Sequence, residues 1–149
     1  VEQDIAEIAI GHFASGCNCS QSVLVSFAER LGLDASTAIR LATGFGVGMA
    51  RGGACGAVSG AVMVLGLAGG GGGPGGAAAK AATYARAKEF YDQFIDLHGS
   101  IICRDLIGVD PSTPEGLEQA RREMRFHNVC SKLVADAVVL VETMLRPGN

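Results

Sequence analysis

Ile5, Ile8, Ala9, His12 and Phe13 fall three and four residues apart, the spacing that gathers side chains on one side of a helix, and predict a first amphipathic helix over residues 2–14. A second is predicted over 19–31, where Cys19, Val23, Phe27 and Leu31 form one row; Asn18 or Ser20 caps its start and Gly32 ends it. Asp34 caps a third, which runs to about Phe45 before Gly44, Gly46 and Gly48 break the pattern. The fourth, over 54–68, carries no charge, whereas the fifth, over 77–97, has a solvated face of Lys80, Arg86, Lys88 and Glu89. A short sixth piece from Ser100 to Ile107 stops at Gly108. Thr113-Pro114-Glu115 opens a seventh with a threonine cap and a proline in the first turn. The eighth, over 129–145, halts before Pro147-Gly148. Apolar residues recur at three and four, seldom at two, so strands are not expected. The expected fold is all-α, a single-domain multi-helix bundle over residues 1–149, with the glycine-rich run 69–76 as a surface loop.

Residues 52–79 contain no charged side chain, but the apolar part, Ala54 to Ala68, is shorter than the roughly 20 residues a membrane span needs. A helix buried within its own bundle accounts for it, and no membrane partner is expected. A chain of 149 residues buries about two-thirds of its unfolded surface without disulfide staples. The formal net charge is -3, with both signs scattered, so there is no basic stripe for phosphates and nucleic acid is not an expected partner. With 22 glycines, many alanines and no tryptophan, helix backbones should pack closely. The start shows no basic segment followed by an apolar run and a small-residue cleavage site, and the expected compartment is the cytoplasm; a chain beginning with Val1 is compatible with a leader already removed.

The five cysteines change this picture. Consecutive helices joined by short loops run antiparallel, so the second, fourth, sixth and eighth should begin at the same end of the bundle. Cys19 opens the second, Cys55 the fourth and Cys130 the eighth, and Cys103 lies in the first turn of the sixth. Each also belongs to an apolar face, Cys55 with Val58 and Val62 and Cys130 with Leu133, Val134, Ala137 and Val141. A helix N-terminus presents unpaired N–H groups and about half a positive charge, which lowers a thiol's pKa and favours the thiolate that attacks disulfides or binds soft metals. Buried small hydrophobes would be the plain role for single cysteines, but that does not explain four at equivalent places.

Gly16-Cys17-Asn18-Cys19-Ser20-Gln21-Ser22-Val23-Leu24, Gly44-Phe45-Gly46, Cys55-Gly56-Ala57-Val58-Ser59-Gly60, Gly99-Ser100-Ile101-Ile102-Cys103-Arg104-Asp105-Leu106 and the Cys130 helix together resemble the redox-active family named for the pattern C_GCAxxG_C_C. The chain reads Cys-Gly-Ala where the name is spelled Gly-Cys-Ala, and the glycine-rich run looks like an insertion. The resemblance implies that Cys19, Cys55, Cys103 and Cys130 are the family's four cysteines, with Gly56 and Gly60 its motif glycines. A related domain in split-Soret-type cytochromes implies an iron–sulfur centre. The expected function is therefore electron transfer by an iron–sulfur cluster, [4Fe-4S] or [2Fe-2S], bound by those four residues. Thiol–disulfide exchange or redox sensing without metal, and a structural zinc site, are the alternatives.

Cys17 and His127 are candidate extra ligands, and His98 lies five residues before Cys103. Capping or surface roles are commoner for such histidines, and His12 reads as a core residue. Cys17-x-Cys19 is too tight for a relaxed disulfide. Gly56 and Gly60 form a small-xxx-small pair suited to close helix contact. Gly44-Phe45-Gly46-Val47-Gly48 is not a nucleotide loop, because no strand precedes it and Arg51 stands at the fingerprint's last glycine. The partners expected are a redox partner protein and further copies of this chain.

Overall fold

The computed structural model describes residues 3–71, 73 and 76–148. It is all-α: α1 (Ile5–Ala14), α2 (Cys19–Ala28), α3 (Ala35–Ala42), α4 (Gly56–Gly69), α5 (Ala77–His98), α6 (Cys103–Ile107), α7 (Pro114–Arg122) and α8 (Ser131–Leu145). Among the described residues the one piece of strand-like pairing is an antiparallel bridge between Ala54 and Ile102. No described helix is long and apolar enough to cross a membrane. Of the expected glycine-rich loop, Gly72, Pro74 and Gly75 lie outside the described residues, as do Val1, Glu2 and Asn149.

Local chemistry sets the helix ends. Asn18 accepts from the Gln21 amide at 2.9 Å while the Gln21 side chain accepts from the Asn18 amide at 2.8 Å, a reciprocal cap that fixes the start of α2 and hence of Cys19. Asp34 and Thr113 cap α3 and α7 by one-way bonds, accepting from the Thr37 and Gly116 amides. The expected third helix ends early, at Ala42, and passes into a 3₁₀ turn over Thr43–Phe45. The expected sixth starts three residues late. Ile102 is extended at the bridge to Ala54, and the Ser100 hydroxyl accepts from its amide, so residues 100–102 do not wind into α6.

The core is built on α2, α4, α5 and α8, from Val23, Leu24 and Phe27, from Val58, Val64 and Leu65, from Phe90 and Phe94, and from Val134, Val138 and Val141. Burying each such side chain contributes about 1.5–3 kcal/mol. α2 and α4 approach at glycines: a Cβ on Gly60 would stand 2.8 Å from the Ser20 carbonyl oxygen and 3.0 Å from Val23 Cβ. Beside this core lies a smaller apolar cluster of Cys103, Ile107 and Cys130, with Phe13, Cys19, Val109, Phe126 and Val129 packed on it.

Candidate functional site

Cys19, Cys55, Cys103 and Cys130 line one cavity of about 350 Å³. Its other walls are mostly apolar and include Phe13, Val47, Ile107, Leu117, Phe126 and Leu133. The capping box places Cys19 as the first residue of α2, Cys55 is the N-cap of α4, and Cys103 is the first residue of α6. Two backbone hydrogen bonds tie the last two together: the Cys55 amide donates to the Ile101 carbonyl at 2.7 Å, and the Cys103 amide donates to Gly53 at 2.6 Å.

Cys130 fits the expected pattern only in part. It is the N-cap of α8, but it also closes a π turn, Phe126–Cys130, that runs directly into α8 with Cys130 and Ser131 both in the right-handed helical region. The wide turn re-aims the helix start, so the cysteine reaches the cavity from one turn inside a continuous helical segment. Single π turns of this kind cluster at functional sites.

A second irregular segment roofs the cavity. Val47, Gly48, Met49 and Ala50 are consecutive left-handed residues with φ of 55, 59, 58 and 62°, where an L side chain costs roughly 1–2 kcal/mol each. The turn is closed by the Gly53 amide on the Gly48 carbonyl at 2.9 Å. Gly48 faces the site so closely that a Cβ there would come within 2.8 Å of Cys103 Cβ and 2.5 Å of the Gly53 nitrogen.

The electrostatics correct the expectation that helix starts hold these thiols as anions. Burial pushes Cys55 up to about 11, against the Ala57 and Val58 amides that pull it down. Cys103 rises to about 12 through burial and then through the neighbouring Cys55, Cys130 and Asp110. Cys19 is held well above the ordinary thiol range, first because it donates to Cys130, then by burial and by the other thiols. Cys130 alone is lowered, by the hydrogen bond it receives from Cys19. Desolvation therefore outweighs the helix dipole at Cys55 and Cys103. Among the described residues no three His, Cys, Asp or Glu side chains form a group that could hold a metal ion.

The remaining sequence candidates stand outside. Cys17, half-buried, and His127, exposed, do not line the cavity. His98 packs its ring 4.7 Å from that of Phe94, with Nε2 3.0 Å from Asp136 Oδ2 but not aligned for a hydrogen bond. Sequence reading missed Arg121, which does line the cavity; nothing in the spacing of Arg121-Arg122 distinguishes it from a solvated helix face.

No curated protein and no solved structure matches the chain. A family model described as "Putative redox-active protein (C_GCAxxG_C_C)" matches residues 17–144, a span that contains all four cavity cysteines. With most of its length matched by that model, the chain belongs to the C_GCAxxG_C_C family.

Proposed function

We propose that Cys19, Cys55, Cys103 and Cys130 together hold an iron–sulfur cluster and that the protein transfers electrons through it. The observation that carries this reading is that four thiols from four separate helical segments line one largely apolar cavity. The donor set and the space suit such a group: soft sulfur ligands and room of about 350 Å³. A single zinc ion would need sulfurs within about 3.8 Å of one another, given Zn–S bonds near 2.3 Å, whereas a cluster spreads its ligands around a volume.

When bound, the cluster supplies reversible one-electron chemistry. The chain's own groups do the rest. Phe13, Val47, Ile107 and Leu133 restrict water at the sulfurs, and the Ala57 and Val58 amides favour charge on Cys55. Binding must displace the protons that burial keeps on Cys55 and Cys103, so loading strengthens as pH rises. Protein purified without oxygen should be brown, with iron and acid-labile sulfide in stoichiometric amounts. Alanine at any of the four cysteines should remove both, and Cys17→Ala should retain them. Colourless wild-type protein without iron or sulfide ends this reading.

The contact between Cys19 and Cys130 favours a second one, reversible thiol–disulfide exchange. The Cys130 thiolate would attack an external disulfide, release one thiol, and then be resolved by Cys19, which releases the second; two protein thiols are oxidised and one disulfide is reduced. A gain of two free thiols on mild reduction of metal-free protein would mark this chemistry.

A further inference from the structure

Of the residues lining the thiol cavity, Arg121 alone carries a charge. Two nearby cations are engaged: Arg122 reaches Glu118 at 3.7 Å, and Arg125 reaches Glu123 at 2.6 Å and donates to the Ile107 carbonyl at 2.5 Å. Arg121 makes no ion pair and no side-chain hydrogen bond among the described residues, and it is exposed on α7 one turn beyond Leu117, which lines the same cavity. An arginine so placed can lay its stem on apolar surface and keep its guanidinium in water at the mouth. Apolar walls focus the field of that charge onto the sulfurs. No carboxylate lines the cavity; Asp110, whose charge reaches Cys103, stands outside its lining.

We infer that Arg121 is the positioning charge of the thiol site: it draws anionic reactants to the cavity and stabilises the more negative state of whatever the sulfurs hold. The inference rests on the cavity being the redox centre proposed above, but not on which group fills it. The ligand class it selects is a small anionic thiol-reactive molecule; in the cluster-loaded protein the same field favours the reduced form.

The test compares wild type, Arg121→Gln and Arg121→Lys as full-length chains, freed of metal by chelator and fully reduced, with helical content checked by circular dichroism. Each is alkylated with iodoacetate, an anion, and with iodoacetamide, its neutral counterpart, and modification is read at every cysteine by mass spectrometry. Both reagents form the same C–S bond with loss of iodide, so their rate ratio cancels the thiolate fraction and reports the local field. At low salt the ratio at Cys130 should fall roughly threefold in Arg121→Gln, recover in Arg121→Lys, and differ little between proteins in high salt. Cys17, outside the cavity, should keep its ratio in all three. A Cys130 ratio that is the same in wild type and Arg121→Gln overturns the role, whatever the iron content. In cluster-loaded protein the midpoint potential of Arg121→Gln should lie below that of wild type, and an unchanged potential also counts against it. Protein that never binds iron defeats the cluster reading and leaves the alkylation result to decide for Arg121.

Discussion

Cys19 and Cys130 line the same cavity, and their coupling splits the two thiols, holding Cys130 below the usual range and Cys19 well above it. The pair gives up its first proton readily and its second reluctantly, because a second ionisation would put two thiolates side by side. In metal-free, reduced protein the pH midpoint for alkylation should therefore be lower at Cys130 than at Cys55 or Cys103. Cys19→Ala removes the donor and should move the Cys130 midpoint upward; Cys19→Ser, which keeps a hydroxyl donor, should move it less. A Cys130 midpoint indifferent to both changes would show that the contact does not set its ionisation.

The opposite shift at Cys55 and Cys103 makes the metal-free fold sensitive to alkali. Their unfolded thiols ionise near pH 9, but in the fold they stay protonated to about 11 and about 12. A folded pKa raised above the unfolded one contributes stability that is complete below the unfolded value and is lost as pH climbs through the folded value. Each unit of difference corresponds to about 1.4 kcal/mol. Thermal melts should show wild type losing more stability than Cys103→Ser between about pH 8 and about pH 11, since serine does not ionise there. Parallel losses in the two proteins would contradict the assignment.

Much of this architecture was legible because its determinants are local. Asn18 with Gln21, Asp34, and Thr113 with Pro114 fix helix starts through hydrogen bonds spanning two or three residues, and the periodicity of α1, α2, α4 and α8 follows from the faces they bury. Cys19 stands at a helix start for the same reason, whereas Cys55 and Cys103 are held by backbone hydrogen bonds to Ile101 and Gly53, distant in the chain. The rest depends on distant partners. Ile102 is extended because it meets Ala54, and the π turn that carries Cys130 has no residue signature. The left-handed turn was visible only as a glycine-dense break, since Val47, Met49 and Ala50 are poor residues for that conformation. The raised thiol pKa values come from burial, which a helix-dipole argument made on sequence alone does not weigh.

Gly60 links core packing to the site. It sits one turn into α4, against the Ser20 backbone and Val23, so an added methyl must push α2 and α4 apart. Because Cys19 and Cys55 sit at the starts of those two helices, the separation would reach the cavity. Gly60→Ala should cost about 1–3 kcal/mol in chemical denaturation, despite the helix preference of alanine, and should lower the iron bound per chain. Gly66→Ala on the same helix, where a Cβ would meet nothing within 4 Å, should stabilise α4 by up to about 1 kcal/mol and leave iron content unchanged. Equal effects at the two positions would show that the α2–α4 contact does not govern the site.

The left-handed turn over the cavity reverses the usual sign of a glycine substitution. Ala50, at φ 62° and ψ 13°, is exposed and holds a conformation that its Cβ disfavours by roughly 1–2 kcal/mol. Glycine relieves that cost while adding about 0.5–1 kcal/mol of unfolded-chain entropy. Ala50→Gly should therefore stabilise the protein by up to about 1 kcal/mol, whereas Ala85→Gly, at an exposed position within α5, should destabilise it by about that amount. Gly48→Ala should be the most harmful of the three, because its Cβ would collide with the Gly53 backbone and with Cys103. Urea denaturation of the three variants reads all these signs in one experiment. Destabilisation by Ala50→Gly equal to that by Ala85→Gly would mean that residue 50 is right-handed in solution, and the roof of the thiol cavity would then have a different shape from the one described.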